Sequence, residues 1–185
     1  MSSRVAVTYQ HYAALPDDGK RYEVHDGELW QMPAPTLHHQ IVLANLADAL
    51  RAHVKQRALG VVLFAPLDVI LSDRPDETTI LQPDLVYVAH ARREALQTRG
   101  IEGPPTLAVE ILSTSTATID RTRKRALYAR YGVPYLWLVD PEARLIEAHV
   151  LRDAQYALAA CVSGTEPCDL PPFVSLGLVP ASLWP

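Results

Sequence analysis

Cysteine is scarce in this sequence: only Cys161 and Cys168 occur among 185 residues, with six residues between them. That excludes a disulfide framework, and with no histidine cluster beside the pair it gives no zinc site. Both read as free thiols of a reducing compartment. No apolar run approaches the roughly 18 residues of a membrane span. Met1 to Ala6 carries one Arg with no apolar core after it, unlike a secretory leader. The expected setting is the cytoplasm, away from any membrane. Basic excess is lacking too. A net charge of -4 and a pI near 5.9 argue against a chain that holds nucleic acid by electrostatics alone. They do not exclude an enzyme that meets phosphates through bound divalent cations, whose charge the residue count omits. There is no Gly-rich phosphate loop, and Ser113 and Ser115 sit in no nucleophile elbow or Ser-His-Asp arrangement.

What is present suffices for one core. Apolar residues make up 49% of the chain and mean hydropathy is +0.01, and a chain of this length buries about 70% of its unfolded surface as a single domain spanning 1–185. Fifteen prolines punctuate it. A short helix over 7–14 precedes a hairpin whose two runs, 21–24 and 28–32, flank the Asp26-Gly27 turn. Ile41, Leu43, Leu46, Leu50 and Val54 recur at helical steps, so a long helix is expected over 37–59, capped by Thr36 and stopped by Gly60. Strands are expected over 61–71 (kinked at Pro66), 80–89, 106–112, 135–140, 145–151 and 156–162. Helices are expected over 91–97 and 119–131, a loop over 100–105, and a Pro-rich tail on the surface from Pro167. Strands as apolar as these imply a mixed sheet covered on both faces by helices, an α/β (α+β) architecture.

Two carboxylates interrupt the most apolar strands: Asp84 in Gln82-Pro83-Asp84-Leu85-Val86-Tyr87-Val88 and Glu110 in Leu107-Ala108-Val109-Glu110-Ile111-Leu112-Ser113. Acids are almost never buried unless paired or metal-bound. Two of them near adjacent strand ends repel unless a cation lies between. Mg²⁺ takes one or two carboxylates together with phosphate and water. Such an ion polarises a phosphoryl oxygen and lowers the pKa of a bound water, as phosphodiester hydrolysis requires. A nearby Lys would stabilise the developing charge. The alternative is that Asp84 begins a surface strand and Glu110 faces solvent on an edge.

An ordered set of motifs accompanies the pair: Tyr22-Glu23 with Asp26-Gly27-Glu28, Met32-Pro33 followed by His39, Pro83-Asp84, and Glu110-Ile111-Leu112-Ser113 with Ser115-Thr116. It continues through Asp120, Lys124-Arg125-Ala126-Leu127-Tyr128, Gly132-Val133-Pro134, Trp137 and Asp140. From about Thr8 to Leu151 the chain resembles the Uma2 family of restriction-endonuclease-like proteins, a branch of the PD-(D/E)XK nuclease superfamily. The resemblance implies a restriction-endonuclease-like mixed β-sheet flanked by helices and hydrolysis of DNA dependent on Mg²⁺, with Mn²⁺ as a substitute. Asp84 and Glu110 would be metal ligands, joined by the carbonyl of Ile111. The superfamily Lys normally lies two residues past the Glu, where this chain has Leu112. The family's Lys moves to the following helix, which makes Lys124 the candidate. Asp120 lies four residues before it, on one helical face. The family's Gly-Val-Pro-Glu-Tyr-Trp reads Gly132-Val133-Pro134-Tyr135-Leu136-Trp137, without its Glu.

Further candidates are Glu28, with Glu23 ranked behind it, and His39 in the first turn of the long helix, where the superfamily often places another acid. Gln82 stands beside Asp84. Arg121, Arg123 and Arg125, with Arg130, form a basic stripe suited to a nucleic-acid backbone. A charge run on a helix is also commonly just its wet face. A second function class is a non-catalytic nucleic-acid-binding or regulatory module of the same fold, supported by Leu112 and the missing Glu. The motifs do not separate DNA from RNA. A homodimer follows only by analogy with double-strand cutters that pair two sites.

Overall fold

The computed structural model describes residues 6–185, so the reading of Met1 to Val5 lies outside it. The chain opens with α1 (Tyr9–Ala13), capped by the Thr8 hydroxyl, which accepts from His11 N at 3.3 Å. The hairpin follows as β1 (Arg21–His25) and β2 (Glu28–Met32), in register from Arg21↔Met32 to His25↔Glu28. Its turn needs two left-handed residues, and Asp26 (φ 52°) and Gly27 (φ 74°) supply them. Helix α2 (Leu37–Gln56) starts at the Thr36 cap as expected. It ends before Gly60, at an Ala58 with φ 52°. Gly60 instead permits a close approach of strands. A Cβ there would sit 2.1 Å from the Val88 carbonyl, so the neighbouring strand excludes any larger residue.

Two prolines divide what the pattern presents as single strands. The run 61–71 becomes β3 (Gly60–Phe64) and β4 (Val69–Ser72). The run 80–89 becomes β5 (Thr79–Leu81) and β6 (Leu85–Ala89). Proline donates nothing to a ladder, and at Pro66 and again at Pro83 the chain leaves one sheet for another. A turn of 3₁₀ helix (His90–Ala95) stands where a helix over 91–97 was expected. Short strands β7 (Leu96–Gln97) and β8 (Gly100–Glu102) replace the expected loop. Strand β9 (Leu107–Ile111) leads to α3 (Ala117–Ile119), a π-helical turn (Asp120–Lys124) and α4 (Arg125–Arg130). β10 (Tyr135–Asp140), β11 (Leu145–Arg152) and β12 (Gln155–Val162) complete the strands.

Their order is β2-β1-β5-β4-β8-β7 in the first sheet and β12-β11-β10-β9-β6-β3 in the second. β9 runs parallel to β10 and antiparallel to β6. Alternation along β9 decides what each face buries. Leu107, Val109 and Ile111 pack with α2 residues such as Leu46 and Leu50. Ala108 and Leu112 face the other way, toward Leu127 and Tyr128 and toward Val69, Leu81 and Ile101 of the first sheet. The Pro-rich tail is not a surface strap. Leu170, Phe173, Leu178 and Leu183 are buried against α2, and Trp137 Nε1 donates to the Pro171 carbonyl at 2.7 Å. Its prolines disguise a segment whose apolar residues complete the core.

Candidate active site

Glu110 lies on the face of β9 that looks toward the 117–130 helical segment, and it is buried there. Its Oε1 accepts from Tyr128 Oη at 2.5 Å and stands 2.7 Å from Lys124 Nζ. Lys124 is 2% exposed and also reaches Glu23 Oε1 at 3.2 Å and Asp120 Oδ1 at 3.5 Å. The π turn buries both Asp120 and Lys124 within five residues, and such turns recur at functional sites. Asp84, the first residue after the Pro83 crossing, accepts from Ile111 N at 2.8 Å through Oδ2, and His39 Nε2 lies 3.1 Å from the same oxygen. Glu23, fully buried on β1, accepts from Gln82 N at 2.8 Å and is bonded to His25 Nε2 at 2.8 Å. Asp84, Glu110, Ile111, Asp120, Lys124, His39, Gln82 and Arg21 line one cavity of about 40 Å³. Since one water needs about 10–15 Å³ of such space, an ion with a few waters fits.

Three buried carboxylates, Glu23, Glu110 and Asp120, stand within 3.5 Å of one ammonium, and a fourth, Asp84, lines the same cavity. Burial raises the Glu110 carboxyl well above its usual range; Lys124 pulls it back, and Asp120, Asp84 and Glu23 push it further up. Asp120 is raised as well, burial first and Lys124 opposing. Burial also works against ionised Glu23, but Lys124 and the His25 hydrogen bond outweigh it and hold this carboxyl low. Lys124 keeps its proton: burial disfavours it, and Glu110, Glu23 and Asp120 more than compensate. Burial and the nearby acids keep the Tyr128 phenol protonated, so it remains a donor. One ammonium cannot balance this many acids, and a further cation would relieve Glu110.

The donor chemistry suits a hard divalent ion in an open, hydrated site. Among the described residues, no hydrogen bond occupies Asp84 Oδ1 or Glu110 Oε2, the partners above being held by the other oxygens. In a strand the N–H and C=O of one residue point the same way, so the Ile111 carbonyl lies on the edge that faces Asp84. Two carboxylate oxygens and a carbonyl, completed by water and phosphate, match the habits of Mg²⁺. A closed cage is absent: no three His, Cys, Asp or Glu side chains are grouped for a metal among the described residues.

A family model described as Uma2, putative restriction endonuclease, matches residues 9–182. The chain belongs to the Uma2 family. A solved structure from Anabaena variabilis, described as a putative nuclease belonging to DUF820, superposes with a TM-score of 0.72 over 96% of this chain and 97% of that one, at 19% identity. That likeness is one of fold. No curated protein matches the chain.

The fold of this Uma2 member brings Asp84, Glu110, Ile111 and Lys124 together from separate segments. Asp120, His39 and Gln82 join them. The other candidates lie elsewhere. Glu28 pairs with Arg123 at 2.7 Å, and Arg123 also donates to the His25 carbonyl and covers the Trp30 ring. Arg121 bonds Glu147 and Asp140, and Arg125 donates to the Tyr156 carbonyl. None of these three arginines lines the cavity; each has a partner within the chain while staying partly exposed, and Arg130 pairs with Asp26 at the surface. Glu23, on β1, reaches Lys124, while Glu28, opposite His25 on the edge strand β2, is held by Arg123. Tyr128 is the residue that sequence reasoning missed. Its signal was the four-residue step from Lys124, the same step that linked Asp120 to it.

Proposed function

We propose that this chain is a metal-dependent endonuclease that hydrolyses phosphodiester bonds in DNA at the Asp84–Glu110–Lys124 cluster. One observation carries the reading: Lys124 stands 2.7 Å from Glu110 while Asp84 is tied to the residue after Glu110, all in one small cavity. Asp84, Glu110 and the Ile111 carbonyl would hold Mg²⁺ or Mn²⁺. Bound there, the ion supplies a Lewis acid for the phosphoryl oxygen and lowers the pKa of the attacking water. Lys124, fixed by Glu23, Asp120 and Glu110, places a permanent positive charge where negative charge develops on the phosphate. Tyr128 holds the Glu110 carboxylate by one oxygen and leaves the other for the ion. His39 holds Asp84 in the same way. Cleavage of both strands of a duplex calls for two copies of so small a site.

The test is cleavage of supercoiled plasmid and of single-stranded DNA in Mg²⁺ or Mn²⁺, with EDTA as control. Activity should vanish in EDTA and fall at least about a hundredfold in Asp84→Asn. Activity unaltered in that variant would sink the reading, and RNA cleaved in preference to DNA would correct its substrate. A second reading, a non-catalytic nucleic-acid-binding module, is favoured by one feature: Glu110 Oε1 already has an ion-pair partner, Lys124 at 2.7 Å, without a metal. It predicts salt-dependent DNA binding with no cleavage in either metal.

A further inference from the structure

No arginine of the helical segment lines the cavity, so a phosphate entering it would meet another side chain first. Of the arginines, only Arg21 lines the cavity among the described residues. Alternation along β1 puts Arg21, Glu23 and His25 on one face, while Val24 faces the small cluster with Ile70 and Ile80. Glu23 is fully buried against Lys124, whereas half-buried Arg21 lines the cavity itself. Gln82 holds its guanidinium in place: Nε donates to Gln82 Oε1 at 3.2 Å and Nη2 to the Gln82 carbonyl at 3.0 Å.

The amide of Gln82 cannot turn over. Its Nε2 donates to Asp68 Oδ1 at 2.8 Å and to Tyr12 Oη at 3.3 Å. Asp68 can only accept, and Tyr12 spends its own proton on that same Oδ1, at 2.7 Å. The carbonyl end of Gln82 therefore faces Arg21. Two of the five N–H donors of the guanidinium are engaged, which leaves three. No carboxylate lies within ion-pair distance of Arg21 among the described residues, unlike Lys124 with its three.

We propose that Arg21, steadied by Gln82, grips the substrate's phosphate at the mouth of this cavity, its remaining N–H groups meeting non-bridging oxygens of a phosphodiester. The inference rests on the nuclease reading for its substrate class. A planar, weakly hydrated fork suits that partner better than an ammonium does. It also offsets the excess of carboxylates that a nucleic acid would otherwise meet.

The experiment uses the full chain with a fluorescein-labelled oligodeoxynucleotide in Ca²⁺, followed by anisotropy across a salt series. Folding of each variant is checked by thermal melting. Arg21→Gln should weaken binding about tenfold and lower the slope of log K against log salt by about one. Arg51→Gln, which removes a charge from the exposed side of α2, should leave the slope alone. Arg21→Lys should keep the slope and still raise KM for cleavage in Mg²⁺, since the charge survives and the fork does not. Gln82→Leu should raise KM with a smaller change in slope. Equal slopes for wild type and Arg21→Gln overturn the proposal even if DNA is cleaved. Binding without cleavage overturns the nuclease reading alone, and the slopes then still decide Arg21. Failure of wild type to bind overturns both.

Discussion

Glu110 is held at some cost. Its carboxyl is raised by burial and by the acids around it, so its contribution to stability is present below the unfolded carboxyl pKa of about 4.3 and lost as pH rises through the higher folded value. Glu110→Gln keeps an acceptor for Tyr128 and Lys124 and abolishes the charge. Relative to wild type, this variant should therefore gain melting temperature as pH rises from about 4.3 to the raised folded value and hold that gain above it, while losing cleavage. A gain independent of pH would contradict the direction of that shift. Lys124→Met should do the opposite to stability, at about 3–5 kcal/mol by denaturant titration, because it leaves several buried acids without their counter-charge. At this scale the sequence was informative where a charge breaks an apolar strand, as at Asp84 and Glu110. It was silent where a charge is hidden by ordinary surroundings. Glu23 sits in Arg21-Tyr22-Glu23-Val24-His25, whose composition suits an exposed hairpin, and only the packing of that hairpin over Gln82 and Lys124 buries it.

Helix α2, the hairpin and strands β9 to β12 were legible because each has an unbroken period and its own caps or turns. The strands on either side of Pro66 and Pro83 were not. Apolar residues resume within two positions of each proline, so periodicity reads one strand where the chain makes two in different sheets. The π turn was hidden for a related reason: adding one residue per turn changes no residue type. The tail misled in the other direction. Proline content suggested a surface strap, yet Phe173 packs against Tyr87, Trp137 and His53 with ring centroids 4.9, 5.9 and 5.5 Å away. Phe173→Ala should cost about 3–5 kcal/mol in denaturant unfolding, far more than a strap would show. A loss within about 0.5 kcal/mol, usual for surface sites, would restore the surface description.

The molecule as a whole brings residues 23, 84, 110 and 124 to one point from both sheets and the helical segment between them. No local pattern encodes that meeting; a resemblance in the order of motifs revealed it, and the side-chain geometry supports it. Among the described residues no helix is long and apolar enough to cross a membrane. A cation that binds the folded cluster and not the unfolded chain must raise global stability, by about 2.7 kcal/mol at a hundredfold excess over Kd. Melting in Mg²⁺ or Mn²⁺ should shift upward for wild type and stay unshifted for Asp84→Asn. Equal shifts in the two proteins would place the ion elsewhere.

Pro83 stands between Gln82, which steadies the arginine, and Asp84, one of the acids. The two side chains thus flank one proline at the passage from one sheet to the other. Any loosening of the first sheet, through a substitution as remote as Ile70 or Ile80, should therefore weaken the proposed metal and phosphate sites together.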